Sequence, residues 1–241
     1  MTGQGRVTGP LALVGSGEYL EVMLEVEREL LKGQPPVYVQ IPTAAAPEGA
    51  ASLDRWVALG AAQAERLGVT SRPIVVRDRA EADDPDLVAL VAGAGLIYLS
   101  GGSPPFLADA LRGSALWTAI EAAWRGGAAL AGCSAGAIAL TSWVPDLRHP
   151  VNPTRAGLGV VPALRVIPHF DRFLGWLPDL VGRYLVKTPE GTEVVGIDED
   201  TALIWQGDHW QVRGRQSVWV LRREGRTPYT DGQTVALPPP V

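Results

Sequence analysis

The sequence predicts an α/β fold in which helices cover both faces of a mainly parallel central sheet. Short apolar runs of the buried-strand type alternate with segments of helical periodicity between residues 11 and 140. This order is typical of three-layer αβα sandwiches. After about Gly191 the pattern changes to short strands and turns, which predicts a C-terminal β-rich segment. No internal stretch of the 241 residues resembles a linker, so we expect one domain over residues 1–241 with frayed ends at 1–9 and 236–241.

The N-terminal elements are predicted from the spacing of apolar residues. Continuous apolar runs predict strands at 11–14, 37–41, 74–76 and 96–99, and a further strand that begins at Ala128. Apolar residues at helical spacing predict helices at 18–32, 53–67, 85–91, 104–124 and 135–140, with a break at Gly113-Ser114. In a parallel sheet of this kind, ligand sites form at the carboxyl ends of the strands.

The C-terminal elements are predicted to be strands. They are expected at 193–197, 202–205, 210–212 and 218–221, with Gly207-Asp208 as a hairpin turn. An earlier apolar run at 164–168 also has strand character. We expect Trp205, Trp210 and Trp219 to pack in the core, and we keep open a homodimer formed through this hairpin.

Composition narrows the function classes. A net charge of −5 without any basic run argues against nucleic acid or an anionic membrane as the main partner. A single cysteine excludes an intrachain disulfide and makes the cytoplasm the expected compartment. We see neither a signal-peptide pattern nor an apolar run of the roughly 18–20 residues that a membrane span needs.

The motif that carries most information about chemistry is Gly132-Cys133-Ser134-Ala135-Gly136, after the apolar run 128–131. An apolar strand that ends in G-x-S-x-G and continues into a helix is typical of a nucleophile elbow, which exposes the central serine at the strand end. Cys133 is the competing nucleophile. Glycines flank Ser134 symmetrically and do not flank Cys133, so the sequence favours Ser134 as nucleophile and Cys133 as a buried residue.

A serine nucleophile needs a base, and the chain has three histidines. His149 and His209 lie in segments that resemble a surface loop and a hairpin turn. His169 directly follows the apolar run 164–168, at the end of a predicted strand. Position therefore favours His169 as the general base.

The base needs a carboxylate that holds its tautomer. Asp198-Glu199-Asp200 follows a predicted strand, and alternation along extended backbone points either Glu199 or the two aspartates toward the site. Asp171 is a further candidate. The chain order would be serine, histidine, acid, whereas α/β-hydrolases have serine, acid, histidine.

We expect neither a cofactor nor a metal ion. Gly15-Ser16-Gly17 lacks the third glycine of a dinucleotide fingerprint and is interpreted as a tight turn beside the site. The three histidines show no close ligand spacing.

Five motifs in order resemble the cyanophycinase and aspartyl dipeptidase (peptidase E) family of serine peptidases, over about residues 11–221. The motifs are Tyr98-Leu99-Ser100-Gly101-Gly102, residues 131–137, Gly157-Leu158-Gly159, Ile167-Pro168-His169-Phe170 and residues 196–202. The resemblance implies a class I glutamine-amidotransferase-like fold in which serine replaces the usual cysteine. It also implies a peptidase that uses no cofactor and acts on a small peptide substrate.

The resemblance further implies site roles. Ser134 corresponds to the nucleophile and His169 to the base. In the cyanophycinase-like branch the acid is the glutamate that corresponds to Glu199, and in the dipeptidase branch it is an aspartate, for which Asp146 is the nearest candidate. The region around Glu199 matches its branch better, so we expect a Ser134-His169-Glu199 triad.

The oxyanion hole is implied to combine a backbone amide of the glycine pair, Gly101 or Gly102, with that of Ala135. Glycine at this place lets the backbone approach the scissile carbonyl.

Two departures bear on the substrate. Cyanophycinases usually follow the glycine pair with Asp-Gln, where this chain has Ser103-Pro104, and they carry an arginine-rich segment where residues 171–176 hold only Arg172. We therefore expect a small-peptide exopeptidase. Arg172 or Arg165 could meet an acidic substrate side chain, although a surface ion pair is the commoner use of such residues. The alternatives are a cyanophycinase-type β-aspartyl-arginine hydrolase, a non-catalytic binding protein of the same fold, and a hydrolase of non-peptide amides or esters.

Overall fold

The computed structural model describes residues 8–146, 154–173 and 188–241. The strands are β1 (Leu11–Val14), β2 (Val37–Ile41), β3 (Thr70–Pro73), β4 (Leu96–Leu99), β5 (Ala129–Cys133), β6 (Trp143–Pro145), β7 (Thr154–Ala156), β8 (Leu164–Ile167), β9 (Glu193–Ile197), β10 (Thr201–Trp205), β11 (Trp210–Gly214), β12 (Val218–Arg222), β13 (Gly225–Tyr229) and β14 (Thr234–Val235). The α-helices are α1 (Leu24–Leu31), α2 (Ala50–Leu67), α3 (Pro85–Ala89), α4 (Pro104–Leu111), α5 (Ala115–Arg125), α6 (Ala135–Ala139) and α7 (Phe170–Phe173). Short 3-10 helices lie at Glu21–Met23, Thr43–Glu48 and Glu81–Asp83.

A mainly parallel sheet forms the centre of the fold, as the sequence predicts. Its order is β14-β11-β10-β1-β5-β4-β2-β3, and the pairs from β1 to β3 are all parallel. The three C-terminal strands extend one edge in antiparallel fashion. Parallel strands must be buried on both faces, and every residue of β1, β4 and β5 is buried accordingly.

Helices cover the two faces of this sheet and make the fold a sandwich. On β1, Leu11 and Leu13 point to the face packed by α4, α5 and α6. Ala12 and Val14 point to the opposite face, packed by α1 and α2. This alternation is the period of a strand, so one short apolar run contributes to two cores.

A second sheet, of order β13-β12-β9-β8, has its own strand pairing and packs into the same core as the central sheet. Strands β8 and β9 are parallel, so their carboxyl ends lie at the same edge. His169 follows β8 and Glu199 follows β9, and both are therefore presented from this smaller sheet. The turn between β9 and β10 connects the two sheets, where the N–H of Asp200 donates to the carbonyl of Ser16 at 3.2 Å.

Local signals account for several helix boundaries. The Ser114 hydroxyl caps α5 by accepting the N–H of Trp117 at 2.9 Å, which is the expected preference at this position. Asp84 caps α3, whose first residue is Pro85. Helix α2 ends at Gly68, which adopts the left-handed conformation with φ 71°.

Several predicted boundaries differ from the structure. Residues 74–76, predicted as a strand, lie beyond the end of β3, although Ile74 and Val76 are buried. Ile74 still donates its N–H to the carbonyl of Gln40 on β2 at 2.8 Å. A buried apolar run just beyond a strand has the same sequence pattern as the strand itself. The predicted helix at 18–32 starts later, with a 3-10 turn followed by α1. The short strands β6, β7, β13 and β14 have no counterpart among the predicted elements.

The chain ends also differ from expectation. Residues 236–241 were expected to fray, yet Val241 donates its N–H to the carbonyl of Val160 at 3.0 Å, and Trp210 Nε1 donates to the carbonyl of Pro238 at 2.8 Å. Gly9 is tied to Trp124 through both backbone groups. Residues 1–7 lie outside the described residues.

The predicted hairpin joins β10 and β11, with Gly207 at φ 101° in its turn. Trp205 and Trp210 contact each other inside the larger core, at a centroid distance of 5.5 Å. In the described part of the chain, no helix is long and apolar enough to cross a membrane.

Candidate active site

Ser134 lies in the sharp connection between β5 and α6. Its backbone has φ 49° and ψ −104°, an uncommon conformation for a residue with a side chain. The positive φ of this turn belongs to the serine itself and not to either flanking glycine. A Cβ on Gly132 would lie 2.6 Å from the backbone of Gly136, and one on Gly136 would lie 2.3 Å from the carbonyl oxygen of Leu99. The two glycines are therefore required for the close approach of α6 to the sheet.

A chain of hydrogen bonds joins the three residues that the sequence singled out. Ser134 Oγ lies 3.0 Å from Nε2 of His169. On the other side of the ring, Nδ1 lies 3.0 Å from Oε1 of Glu199. The ring is thus in contact with a hydroxyl at one nitrogen and a carboxylate at the other, which is the geometry of a serine-histidine-acid relay. His169 also has a positive φ, of 51°, so two of the three residues have strained backbones.

The carboxylate of Glu199 is held by two further residues. Its Oε2 accepts a hydrogen bond from Nε of Arg172 at 3.1 Å and forms an ion pair with Nη2 of the same residue at 3.0 Å. Its backbone N–H donates to Oδ1 of Asp171 at 2.9 Å. The hydrogen bond from His169, followed by that from Arg172, holds the pKa of Glu199 below its usual value. Glu199 therefore keeps its negative charge facing the imidazole.

The other candidate acids have different partners. Asp198 is buried and accepts hydrogen bonds from Trp219 Nε1 and from the N–H of Ser217, so it connects strands of the smaller sheet. Burial raises its pKa and these hydrogen bonds oppose the rise. Asp200 lies 3.8 Å from Arg215. Asp171 accepts the backbone N–H of Glu199, so this residue orients the segment that carries the acid.

Asp146, the alternative acid, is buried against Arg155 at 3.2 Å. Nδ1 of His169 makes its hydrogen bond with Glu199. Asp146 follows β6 and Arg155 lies on β7, so their ion pair joins these two short strands.

Among the described residues, His209 and Cys133 take no part in this chain of contacts. His209 pairs with Asp208 in the hairpin turn, as its predicted surface position implies. His149 lies outside the described residues. Cys133 is fully buried, and burial followed by the nearby carboxylate of Glu18 raises the pKa of its thiol well above the ordinary value. A thiol held in the neutral form is a poor nucleophile.

The two glycines near Ser134 differ in whether their backbone N–H donates a hydrogen bond within the described structure. The N–H of Gly101 donates to Oε1 of Glu18 at 2.9 Å. Within the described residues, neither the N–H of Gly102 nor that of Ala135 has a hydrogen-bond partner. Gly102 has φ 136°, and a Cβ there would lie 2.4 Å from the carbonyl oxygen of Ala44. Only glycine fits this position.

Sequence reasoning missed the part played by Glu18. The turn at Gly15-Ser16-Gly17 was expected beside the site, and the structure places it against the segment 198–201, with the Gly15 N–H donating to Thr201 at 2.9 Å. Glu18 follows this turn directly, but its contacts lie 83 and 115 residues away along the chain. No local pattern signals such contacts. Among the described residues, no group of three or more histidine, cysteine or acidic side chains is arranged to hold a metal ion.

The cations considered for substrate recognition are both engaged. Arg172 pairs with Glu199, although 72% of its side chain is exposed. Arg165 is buried, with its guanidinium carbon 4.4 Å from the ring centroid of Trp143. Arg165 therefore belongs to the packing of the smaller sheet.

Comparison with known proteins gives consistent similarities. A model of peptidase family S51 matches residues 11–213. A cyanophycinase from Nostoc sp. is 27% identical over 212 residues, which cover 80% of this chain and 68% of the relative. A cyanophycinase from Synechococcus elongatus is 30% identical over 165 residues, 61% of this chain and 48% of the relative.

Two solved structures are similar as well. The crystal structure of a peptidase from an acI-B1 Actinobacterium matches with a TM-score of 0.89 and 42% identity, covering 97% of this chain and 99% of that one. A putative peptidase E protein from Listeria monocytogenes matches with a TM-score of 0.65 and 18% identity, covering 87% and 100%. The second similarity is one of fold alone.

Proposed function

Because this chain belongs to peptidase family S51, and is therefore a hydrolase of peptide bonds, we propose that it cleaves small peptides from one end through a Ser134-His169-Glu199 triad. The observation that carries this proposal is the continuous hydrogen-bonded chain from the Ser134 hydroxyl through the His169 ring to the Glu199 carboxylate, with 3.0 Å at each step. In a triad each of these contacts has a separate chemical task.

Acylation starts from the neutral imidazole. Nε2 of His169 accepts the proton of Ser134 while the serine oxygen attacks the scissile carbonyl carbon. The ring then carries a proton on both nitrogens, and the carboxylate of Glu199 stabilises this imidazolium through Nδ1. The ion pair with Arg172 keeps Glu199 ionised and oriented throughout.

The negative charge that develops on the carbonyl oxygen needs preorganised donors. The amides of Gly102 and Ala135 are the best candidates, because neither has another partner in the described structure. Ala135 directly follows Ser134, and Gly102 directly follows Gly101, where a built Cβ would lie 3.5 Å from Cβ of Ser134. Gly101 is disfavoured, because its N–H already donates to Glu18. This narrows the expected pair to Gly102 and Ala135.

Collapse of the tetrahedral intermediate completes the first half of the reaction. The imidazolium of His169 returns its proton to the leaving amine, which departs and leaves an ester on Ser134. Water, deprotonated by the same ring, then attacks this ester and releases the second product. Each proton transfer in this scheme is assigned to the one imidazole.

Small peptides are the proposed substrate class, and hydrolysis of β-aspartyl-arginine bonds is the second candidate. The second candidate is favoured by the cyanophycinases among the relatives. It is disfavoured by Ser103-Pro104 after the glycine pair and by the use of Arg172 on the triad acid.

A substrate panel tests the proposal directly. Dipeptides, aminoacyl amides, isoaspartyl peptides, cyanophycin and simple esters would be offered to the wild type and to Ser134→Ala. We expect hydrolysis of one or more short peptides, and a loss of about 10⁴-fold or more in kcat on Ser134→Ala. A fluorophosphonate should label the wild type and not the variant.

Each other outcome of the panel has a defined meaning. Peptide hydrolysis that survives Ser134→Ala would contradict the triad. Cleavage restricted to cyanophycin would favour the second candidate, and labelling with turnover of esters alone would indicate a non-peptide hydrolase. A binding protein would show neither labelling nor turnover.

A further inference from the structure

Glu18 lies where three strands of the central sheet end. It follows β1, its Oε1 accepts the N–H of Gly101 after β4 at 2.9 Å, and its Oε2 accepts the thiol hydrogen of Cys133 at the end of β5 at 2.9 Å. Cys133 is the residue before Ser134. One side chain thus connects the loop that carries the glycine pair with the strand that carries the nucleophile.

The distances around Gly101 show how close this connection is to the reacting serine. A Cβ built on Gly101 would lie 2.5 Å from Oε1 of Glu18 and 3.5 Å from Cβ of Ser134. The carboxylate of Glu18 and the side chain of Ser134 therefore both lie beside the position that a Gly101 side chain would occupy. Because glycine has no side chain to lock its conformation, an external contact must hold this peptide in place.

The next residue makes a parallel contact. Tyr19 is buried, has a positive φ of 63°, and shares a hydrogen bond of 2.7 Å between its hydroxyl and Oγ of Ser100. Two consecutive residues after β1 thus bind two consecutive residues after β4. A positive φ in a bulky residue is costly and persists where surrounding contacts over-determine it.

We propose that Glu18 is a positioning residue of the peptidase, which fixes the Gly101-Gly102 backbone so that the amide of Gly102 points at the oxyanion. Glu18 itself does not touch the substrate. It satisfies the Gly101 N–H, which leaves the following amide as the free donor. The inference rests on the proposed function, because an oxyanion must form beside Ser134 for this amide to have a task.

Three variants separate the effect of the length of the Glu18 side chain from the effect of its charge. Glu18→Gln keeps the length and an oxygen for the Gly101 N–H but removes the charge. Glu18→Asp keeps the charge and loses one methylene of reach, and Glu18→Ala removes both. Glu21→Asp, on an exposed glutamate three residues later, is the matched control.

The proposal predicts a specific pattern of kinetics. Removing one oxyanion donor costs about 10²–10³-fold in kcat in other enzymes, and a displaced donor should cost less. We expect Glu18→Asp and Glu18→Ala to lower kcat by about 10–100-fold, with KM changed by less than about threefold. The rate of fluorophosphonate labelling should fall in parallel. Glu18→Gln should keep at least about a third of the wild-type kcat, and Glu21→Asp should match the wild type.

A second readout does not depend on peptide turnover. Hydrogen exchange of the Gly101 amide, followed by NMR, should be faster in Glu18→Ala than in the wild type and unchanged in Glu21→Asp. Wild-type kcat in Glu18→Asp would overturn the proposal. A kcat in Glu18→Gln as low as in Glu18→Ala would also overturn it. The same holds if the fall in kcat of the Glu18 variants disappears when kcat is expressed per site labelled by the fluorophosphonate.

Failure of the proposed function is distinguishable from failure of this inference. A wild type that neither hydrolyses peptides nor accepts the fluorophosphonate would defeat the proposed function. In that case Gly101 exchange still decides whether Glu18 holds the glycine backbone: unchanged exchange in Glu18→Ala overturns this part of the inference, and faster exchange supports it.

Discussion

Replacement of Glu199 by glutamine tests the acid of the proposed triad, because the hydrogen bonds of Arg172 and His169 would decide how the new amide is oriented. Oε2 accepts a hydrogen bond from Nε of Arg172 and is paired with its Nη2, and Oε1 faces Nδ1 of His169. A glutamine has one oxygen and one NH₂ group, and an arginine can only donate. Arg172 should therefore take the amide oxygen and turn the NH₂ toward His169. Nδ1 must then accept, the ring proton moves to Nε2, and the ring can no longer accept the proton of Ser134.

The expected loss follows from this wrong tautomer. The same change of tautomer in a well-studied serine protease lowers kcat by about 10⁴-fold. Here the acid is partly exposed, since 24% of its side chain is accessible, so water can compensate in part. We expect a loss of about 10³-fold in kcat, or about 4 kcal/mol in activation free energy, with KM changed by less than about threefold.

The double variant Arg172→Gln/Glu199→Gln makes the test specific. Without the arginine donors, the amide that replaces the Glu199 carboxylate can turn, present its oxygen to Nδ1, and restore the correct tautomer. We expect the double variant to be more active than Glu199→Gln alone, by about 10-fold, in steady-state assays on the best peptide of the panel. Retention of more than about a tenth of the wild-type kcat by Glu199→Gln, or a double variant no better than the single one, would refute the reasoning.

Three further predictions concern the other acid, the elbow and a buried carboxyl group. Asp146→Asn should lower stability through its ion pair with Arg155 while kcat per folded molecule falls less than in Glu199→Gln; a larger fall would make Asp146 the acid. Gly136→Ala should cost about 1–3 kcal/mol in urea unfolding, because the new methyl group would lie 2.3 Å from the oxygen of Leu99; unchanged stability would show that the elbow has room. Glu27 is buried, and burial raises its pKa to about 8 against an opposing hydrogen bond from Gln63. Between these two pKa values the Glu27 carboxyl is protonated in the native state and ionised in the unfolded state, where its pKa is about 4.5. The free energy of unfolding should therefore fall as pH rises from 5 to 8, by at most about 1.4 kcal/mol per pH unit. Glu27→Gln should flatten this slope, and an unchanged slope in that variant would assign it to other groups.

Much of the fold is predictable because several of its strands are short and mostly apolar. The observed bounds of strands β1, β2, β4 and β9 coincide with the predicted ones. Buried strands contain few polar residues that would obscure where they begin and end. The break between α4 and α5 follows from Gly113-Ser114, which holds both a left-handed glycine and an N-cap. Residues 74–76 were predicted wrongly because a buried coil and a buried strand share one pattern.

Local sequence patterns could not predict that the strands divide into two sheets. Strands β8 and β9 have the same apolar character as the strands of the central sheet, and nothing in their sequences says which strands they pair with. Pairing depends on the path of the intervening chain. The contact between the two sheets is nevertheless what brings His169 and Glu199 to Ser134, the proposed nucleophile.

By itself the sequence determined which residue types were available for chemistry: one serine between two well-placed glycines, one histidine at a strand end, and a short acidic run. Those assignments are local, since each depends on neighbours within a few residues. Only the tertiary structure decided that the acid beside the ring is Glu199, that Arg172 and Asp171 hold it, and that Glu18 occupies the Gly101 amide. These contacts join residues 27 to 83 positions apart, and hydrogen bonds depend on distances of a fraction of an ångström that no spacing along the chain encodes.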